Sequence, residues 1–299
     1  MKQSEIKSSH IVNILKSLLG FIGIYIVSEI IGEVCIIIIL TCMGINIFSN
    51  DIPNNILTQT LPFFGFIVFT ITTILYCKFI EKRSQQSIGF IKKGFIKNYL
   101  KGFVIGILLI SIVILISLAT GALTYEGVSE NINILPILLF LFAYIIQGMA
   151  EEVMCRGYLM TSLSKKTSLF WAILLSSLAF TYPHLQSLFA SEAQFGIIGL
   201  INTMLFSFLV SLFMVKGRNI WLVSAIHSSW NYVLGVVYGI CVSGGETHPS
   251  IFNFSVNESK SLINGGMYGP EAGIITTIIM IFSLAILLLT IKKKNKITL

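Results

Sequence analysis

The chain has 299 residues and a formal net charge of +7, and it is 55% apolar without counting glycine but only 11% charged, against about 25% charged in an average soluble domain. Too few charged side chains remain to coat a water-soluble exterior, so a soluble enzyme, a disordered chain and a nucleic-acid binder are poor readings and the solvent is lipid. Five cysteines (Cys35, Cys42, Cys77, Cys155, Cys241) form no C-x-x-C pair, and four lie inside apolar runs; they read as small apolar side chains rather than disulfides or zinc ligands.

A helix crossing about 30 Å of hydrocarbon needs about 20 apolar residues. Eight stretches qualify, near 17–43, 61–77, 103–123, 134–163, 168–186, 196–215, 219–241 and 272–291. The expected fold is an all-α, polytopic transmembrane bundle in a single integral-membrane domain, with its chemistry concentrated near 134–241. The first run follows Lys2, Lys7 and Lys16, as a signal peptide would, but it is longer than a signal's apolar region and lacks a clear cleavage site, so it stays as an anchor.

Basic residues alternate from loop to loop. They precede the first span, cluster between the second and third (Lys78, Lys82, Arg83, Lys92, Lys93, Lys97, Lys101), and recur at Lys165 and Lys166, Lys216 and Arg218, and Lys292, Lys293, Lys294 and Lys296. The opposite loops hold Asp51, Glu126, Glu130, Glu192, Glu246, Glu258 and Glu271, with Lys260 as their only base. By the positive-inside rule the number of spans is even and both termini face the cytoplasm of a cell-membrane protein. The stretch from Ile88 to Lys101 mixes apolar and lysine positions as a segment lying on the inner headgroups would. No internal repeat supports a two-fold transporter.

Charges inside apolar spans cost at least about 2.5 kcal/mol each on insertion scales and mark functional positions by default. Here they are Glu29 and Glu33 in the first span, Glu151, Glu152 and Arg156 in the fourth, His184 at the end of the fifth and His227 in the seventh. Glu152 and Arg156 lie one turn apart and can pair. Glu151 is rotated by about 100° from Glu152 and has no base three or four positions away, so its charge is met from another helix. His227 and Asn231 share one helix face and both donate hydrogen bonds. Pro183, directly before His184, frees the carbonyl of Ala179 and distorts the helix. Glu29 and Glu33, one turn apart, read most simply as hydrogen-bonded to neighbours; lining a chamber or a cation path are the alternatives.

Counted from the inner basic clusters at ~1.5 Å per residue, Glu151 lies about 21 Å deep, His184 about 27 Å, His227 about 14 Å and Asn231 about 20 Å. These depths overlap within loop height and helix tilt, so the four can converge on one polar chamber between the fourth, fifth and seventh spans. A carboxylate, two imidazoles and an amide away from bulk water can split an amide bond with water. Glu151 serves as general base and then protonates the leaving amine. His184 helps hold the water, and Asn231 and His227 donate to the oxyanion. The same Glu151, His184 and His227 can bind a divalent metal such as zinc, although no H-E-x-x-H pair presets two ligands. A serine mechanism through Ser228 or Ser229 lacks a supporting motif.

Glu151-Glu152-Val153-Met154-Cys155-Arg156-Gly157 fits E-E-x-x-x-R-G, Phe180 to His184 fits F-x-x-x-H, and His227 to Asn231 fits H-x-x-x-N. In this order and on separate spans, these motifs resemble the CAAX proteases and bacteriocin-processing enzymes, the family also called Abi or type II CAAX prenyl endopeptidases. The turn Gly265 to Glu271 before the last span looks like one that bacterial members carry. The resemblance is tightest from about 145 to 235. It implies an intramembrane endopeptidase acting on peptide or protein substrates, with Glu151, His184, His227 and Asn231 catalytic and Glu152 and Arg156 supporting them. It leaves both a glutamate-based and a metal-dependent mechanism open. Peptide maturation, CAAX-type processing and bacteriocin self-immunity are the roles it suggests, and a non-catalytic immunity or partner-binding protein, or a small transporter, are the rival readings. Pro183 before the second-motif histidine departs from the pattern.

Overall fold

The computed structural model describes residues 2–46, 53–130, 132–245 and 247–292, with side chains from residue 11 onward. Asp51, Glu246, Lys293, Lys294 and Lys296, and the side chains of Lys2 and Lys7, lie outside that description. Twelve helices are present among the described residues: α1 (Lys2–Cys42), α2 (Ile56–Gly65), α3 (Ile67–Phe79), α4 (Phe95–Ala119), α5 (Ile134–Glu152), α6 (Thr161–Leu163), α7 (Leu169–Thr181), α8 (Leu185–Ala190), α9 (Ala193–Gly217), α10 (Ile220–Tyr232), α11 (Ser261–Asn264) and α12 (Ile274–Lys292).

Seven segments are long and apolar enough to cross a membrane: Ile11–Cys42, Ile56–Phe79, Phe95–Ala119, Ile134–Leu163, Ala193–Gly217, Ile220–Val237 and Ile274–Lys292. The protein is therefore a multi-pass helical membrane protein. The fifth of the eight expected spans, 168–186, is instead broken. α7 stops at Thr181, a 3-10 turn covers Tyr182–His184, and α8 resumes at Leu185, because Pro183 has no N–H to continue the helical ladder. The expected headgroup segment also divides. Ile88 closes a 3-10 turn inside the core, Gly89 and Gly94 take positive φ, and the residues from Phe95 onward begin α4.

The bundle is apolar on the outside, as lipid solvent requires, and keeps polar side chains among the apolar residues of its interior. Leu19, Ile30, Leu115 and Phe282 are exposed, whereas Ser28, Thr73, Ser176 and Ser207 are buried. α10 is the central helix, and close backbone contact holds it on two sides. Gly102 and Gly106 of α4, spaced as a small-x-x-x-small pair, lie against the carbonyls of Leu222 and Ile226. On the other side, a Cβ added at Gly148 of α5 would stand 2.5 Å from Ser228 Oγ and 2.8 Å from its backbone nitrogen.

The basic loops meet at one end of the bundle. Arg83 donates to Ser162 and pairs with Glu81 at 2.9 Å, Lys166 donates to Ser17, and Trp221 donates to the carbonyl of Ile91. Apart from the helices, β1 (Leu123–Val128) and β2 (Phe252–Val256) form an antiparallel pair from Leu123↔Val256 to Val128↔Phe252 with a bulge between Tyr125 and Gly127. The third span thus ends at Ala119 rather than near 123, where Gly121 turns the chain at positive φ into β1.

Candidate active site

The three motifs fall on α5, on the α7–α8 break and on α10. Both motif helices pass into π-helical turns: α5 directly after Glu152, over Val153–Met160, which carries Arg156 and Gly157 of the first motif, and α10 just beyond Asn231, over Val233–Val237. Such turns recur at functional sites because they rotate the side chains that follow.

Glu152 is fully buried, and its Oε1 accepts from Arg156 Nη1 at 2.9 Å and from His227 Nδ1 at 3.1 Å. The expected Glu152–Arg156 pair is therefore present, and it also reaches the catalytic candidate. Arg156 is equally buried. Its Nη2 donates to Ser207 Oγ at 2.5 Å, and its guanidinium lies 4.3 Å over the ring of Phe180. Every charge in this group is met by an opposite charge, a hydroxyl or a ring face, which is what lets ions persist in lipid.

Because a carboxylate only accepts, the contact with Glu152 puts a proton on His227 Nδ1 and turns Nε2 toward the remaining carboxylate. His227 Nε2 lies 3.9 Å from Glu151 Oε2. The acid left without a partner on its own helix is thus met by an imidazole from α10. That separation is too long for a direct hydrogen bond and suits one intervening oxygen. The imidazole is fixed edge-to-face between Phe180 at 5.6 Å and Phe206 at 5.4 Å.

Glu151, His184, His227 and Asn231 all line one cavity of about 490 Å³. His184 comes from the 3-10 turn, where its Nδ1 lies 3.0 Å from the carbonyl of Phe180, leaving Nε2 for the cavity. The imidazole reaches back one helical turn from its own position to the carbonyl of Phe180. Asn231 Nδ2 donates to Gln147 Oε1 at 3.4 Å. The chamber is wider than the three expected spans: Tyr25 and Glu29 of α1, Phe63 of α2, Phe69 of α3 and Asn202 of α9 also line it. Glu29, expected to bond to neighbours, faces this cavity, whereas Glu33 is exposed and is not part of the lining.

Three contributors were missed in the sequence. Gln147 lies one turn before Glu151 and could have been read from that spacing. Glu271, noted only as part of a turn, accepts from Trp230 Nε1 at 2.9 Å and from Ser243 Oγ at 2.9 Å, tying the C-terminal turn to α10. His248 sits in a polar loop with no periodicity to flag it.

The expected metal set does not form a cage. Among the described residues no three His, Cys, Asp or Glu side chains are placed to hold one ion; the Nδ1 contacts of His184 and His227 turn both Nε2 atoms toward the cavity.

Residues 133–233 match the family model described as type II CAAX prenyl endopeptidase Rce1-like. The matched stretch contains all four candidate residues and the Glu152–Arg156 pair, and it supports a protease at the coarse level. No curated protein matches the chain significantly.

Proposed function

We propose that the protein is an intramembrane endopeptidase that hydrolyses peptide bonds with a water activated by Glu151. The observation that carries this reading is the approach of Glu151 to His227 Nε2, 3.9 Å apart, on the wall of a cavity large enough for a peptide segment. Glu151 takes a proton from water as its oxygen attacks the substrate carbonyl. With Nδ1–H held by Glu152, His227 acts in its doubly protonated form, in which Nε2–H also donates; that N–H and Asn231 Nδ2 face the developing oxyanion, and each well-placed donor contributes on the order of 3 kcal/mol at such sites. On collapse, the C–N bond breaks and Glu151 returns the proton to the leaving amine. His184 orients the attacking water through its free nitrogen. Glu152 fixes the His227 ring, and Arg156 neutralises Glu152.

Counting the broken α7–α8 segment as a crossing gives an even number of spans, which together with the positive-inside rule supports a reading in which both termini and the basic loops face the cytoplasm. The substrates are peptides or protein segments, with CAAX-type processing the activity the family match favours. The test is cleavage of a library of apolar and C-terminally lipidated peptides by the purified protein. Activity that falls at least about 100-fold in Glu151→Gln and in His227→Ala supports the reading; turnover that persists in both variants overturns it.

A further inference from the structure

Beside Tyr144, two turns before Glu151 on α5, the cavity carries a second polar group that the mechanism leaves unused. His248 lies outside the membrane-spanning helices, stacked on Phe140 with ring centroids 4.1 Å apart and set edge-on to Phe63 at 6.1 Å. Its Nδ1 is buried and has no hydrogen-bond partner among the described residues. One turn before Phe63 on α2, Gln59 donates its Nε2 to Asn54 at 2.7 Å, while its Oε1 is likewise buried and unpartnered. Both side chains line the cavity that holds Glu151. A buried polar atom without a partner costs about 1–3 kcal/mol, so two of them on residues that line one cavity are unusual unless a ligand completes them.

Burial lowers the pKa of His248 to about 4, so the ring is neutral near pH 7. The pair therefore suits an uncharged ligand that offers both a donor and an acceptor. Its distance from the reacting centre follows from α5. Tyr144, Gln147 and Glu151 all line the cavity at helical spacings of three and four, and Tyr144 packs against both Phe63 and His248. Seven residues of helix span about 10 Å, which is about three residues of extended peptide.

We propose that Gln59 and His248 form a substrate main-chain subsite about three residues from the scissile bond, Gln59 Oε1 accepting from a substrate N–H and His248 Nδ1 meeting a substrate amide group. The walls formed by Phe63 and Tyr144 hold the accompanying apolar side chain. This subsite deepens the endopeptidase reading and rests on it for its role in cleavage, but its occupancy is measurable without turnover.

The experiment uses full-length Glu151→Gln protein in detergent and an N-acetylated, C-amidated, fluorescently labelled apolar peptide that the unmodified protein cleaves, with binding followed by stopped flow before turnover consumes it. A series of peptides replaces one backbone amide at a time by an ester, removing a single N–H. One ester position about three residues from the scissile bond should weaken binding about three- to tenfold, the range for one lost hydrogen bond, and the same ester should make no difference once Gln59→Leu is added. His248→Phe, which keeps the aromatic stack but removes the nitrogen, should weaken the all-amide peptide by a similar factor. Unchanged affinity in both variants overturns the subsite, and if either variant misfolds, an ester series with no sensitive position in the Glu151→Gln protein overturns it alone. Cleavage that survives Glu151→Gln sinks the catalytic assignment instead and leaves this binding result intact.

Discussion

Replacing Arg156 by methionine tests how the bundle tolerates its innermost charges. The substitution keeps most of the side-chain volume but removes the guanidinium that lies 2.9 Å from Glu152, donates to Ser207 and covers Phe180. The Glu152 carboxyl would stay fully buried with His227 Nδ1 as its one remaining donor among the described residues. Breaking a buried ion pair by deleting one partner costs about 3–5 kcal/mol, and the orphaned Ser207 hydroxyl adds about 1 kcal/mol. Glu152→Gln strands the opposite charge and should cost a similar amount. The double variant strands neither, so the two losses should fall short of additivity by at least about 2 kcal/mol. Reversible unfolding in mixed detergent and SDS micelles, followed by far-UV circular dichroism, measures all four species. Single losses below about 1 kcal/mol that add within about 0.5 kcal/mol would refute the claim that this pair holds the site together.

Asn231→Ala should lower kcat by about 100-fold or more with little change in KM, as expected for a donor used mainly in the transition state; a change confined to KM in steady-state peptide cleavage would reassign Asn231 to binding. Gly148→Val should separate α5 from α10, since its new Cβ meets Ser228 at 2.5 Å and 2.8 Å, with a cost of at least about 1–3 kcal/mol and loss of peptide cleavage; normal stability in the same unfolding assay would contradict the close approach. His248 has a folded-state pKa of about 4 against an ordinary 6.5, so the unfolded chain binds its proton more readily. Its contribution is complete above pH 6.5 and is lost progressively as pH falls towards 4. Unfolding measured across that interval should therefore show a shallower acid loss in His248→Phe than in the unmodified protein, and identical slopes would contradict burial of a neutral ring.

The parts of the molecule visible in the sequence were those carried by strong local chemistry. Apolar runs revealed the spans because hydrocarbon admits little else, and the spacings of Glu152 with Arg156 and of His227 with Asn231 revealed shared faces because a helix fixes them. Glu151 stood out because no base on its own helix answered it, and His227 now does so from α10. What stayed hidden was set by long-range contact. The expected span at 168–186 became α7, a 3-10 turn and α8, since its composition satisfies a hydropathy reading while one proline prevents a continuous ladder. The β1–β2 pair joins segments more than 120 positions apart, and neither segment announces its partner. Glu29 depended on which way α1 faces, and Gln59 and His248 depended on a cavity assembled from separate helices and a loop.

Single-turnover cleavage in water enriched in heavy oxygen tests the central mechanism most directly, by mass spectrometry of the products and of the intact protein. Direct attack by a water that Glu151 deprotonates predicts one heavy oxygen in each new carboxyl group, no acyl-protein at any time point, and loss of the labelled product in folded Glu151→Gln. A peptidyl ester trapped on the protein, or labelled product formed at the unmodified rate by Glu151→Gln, would contradict it.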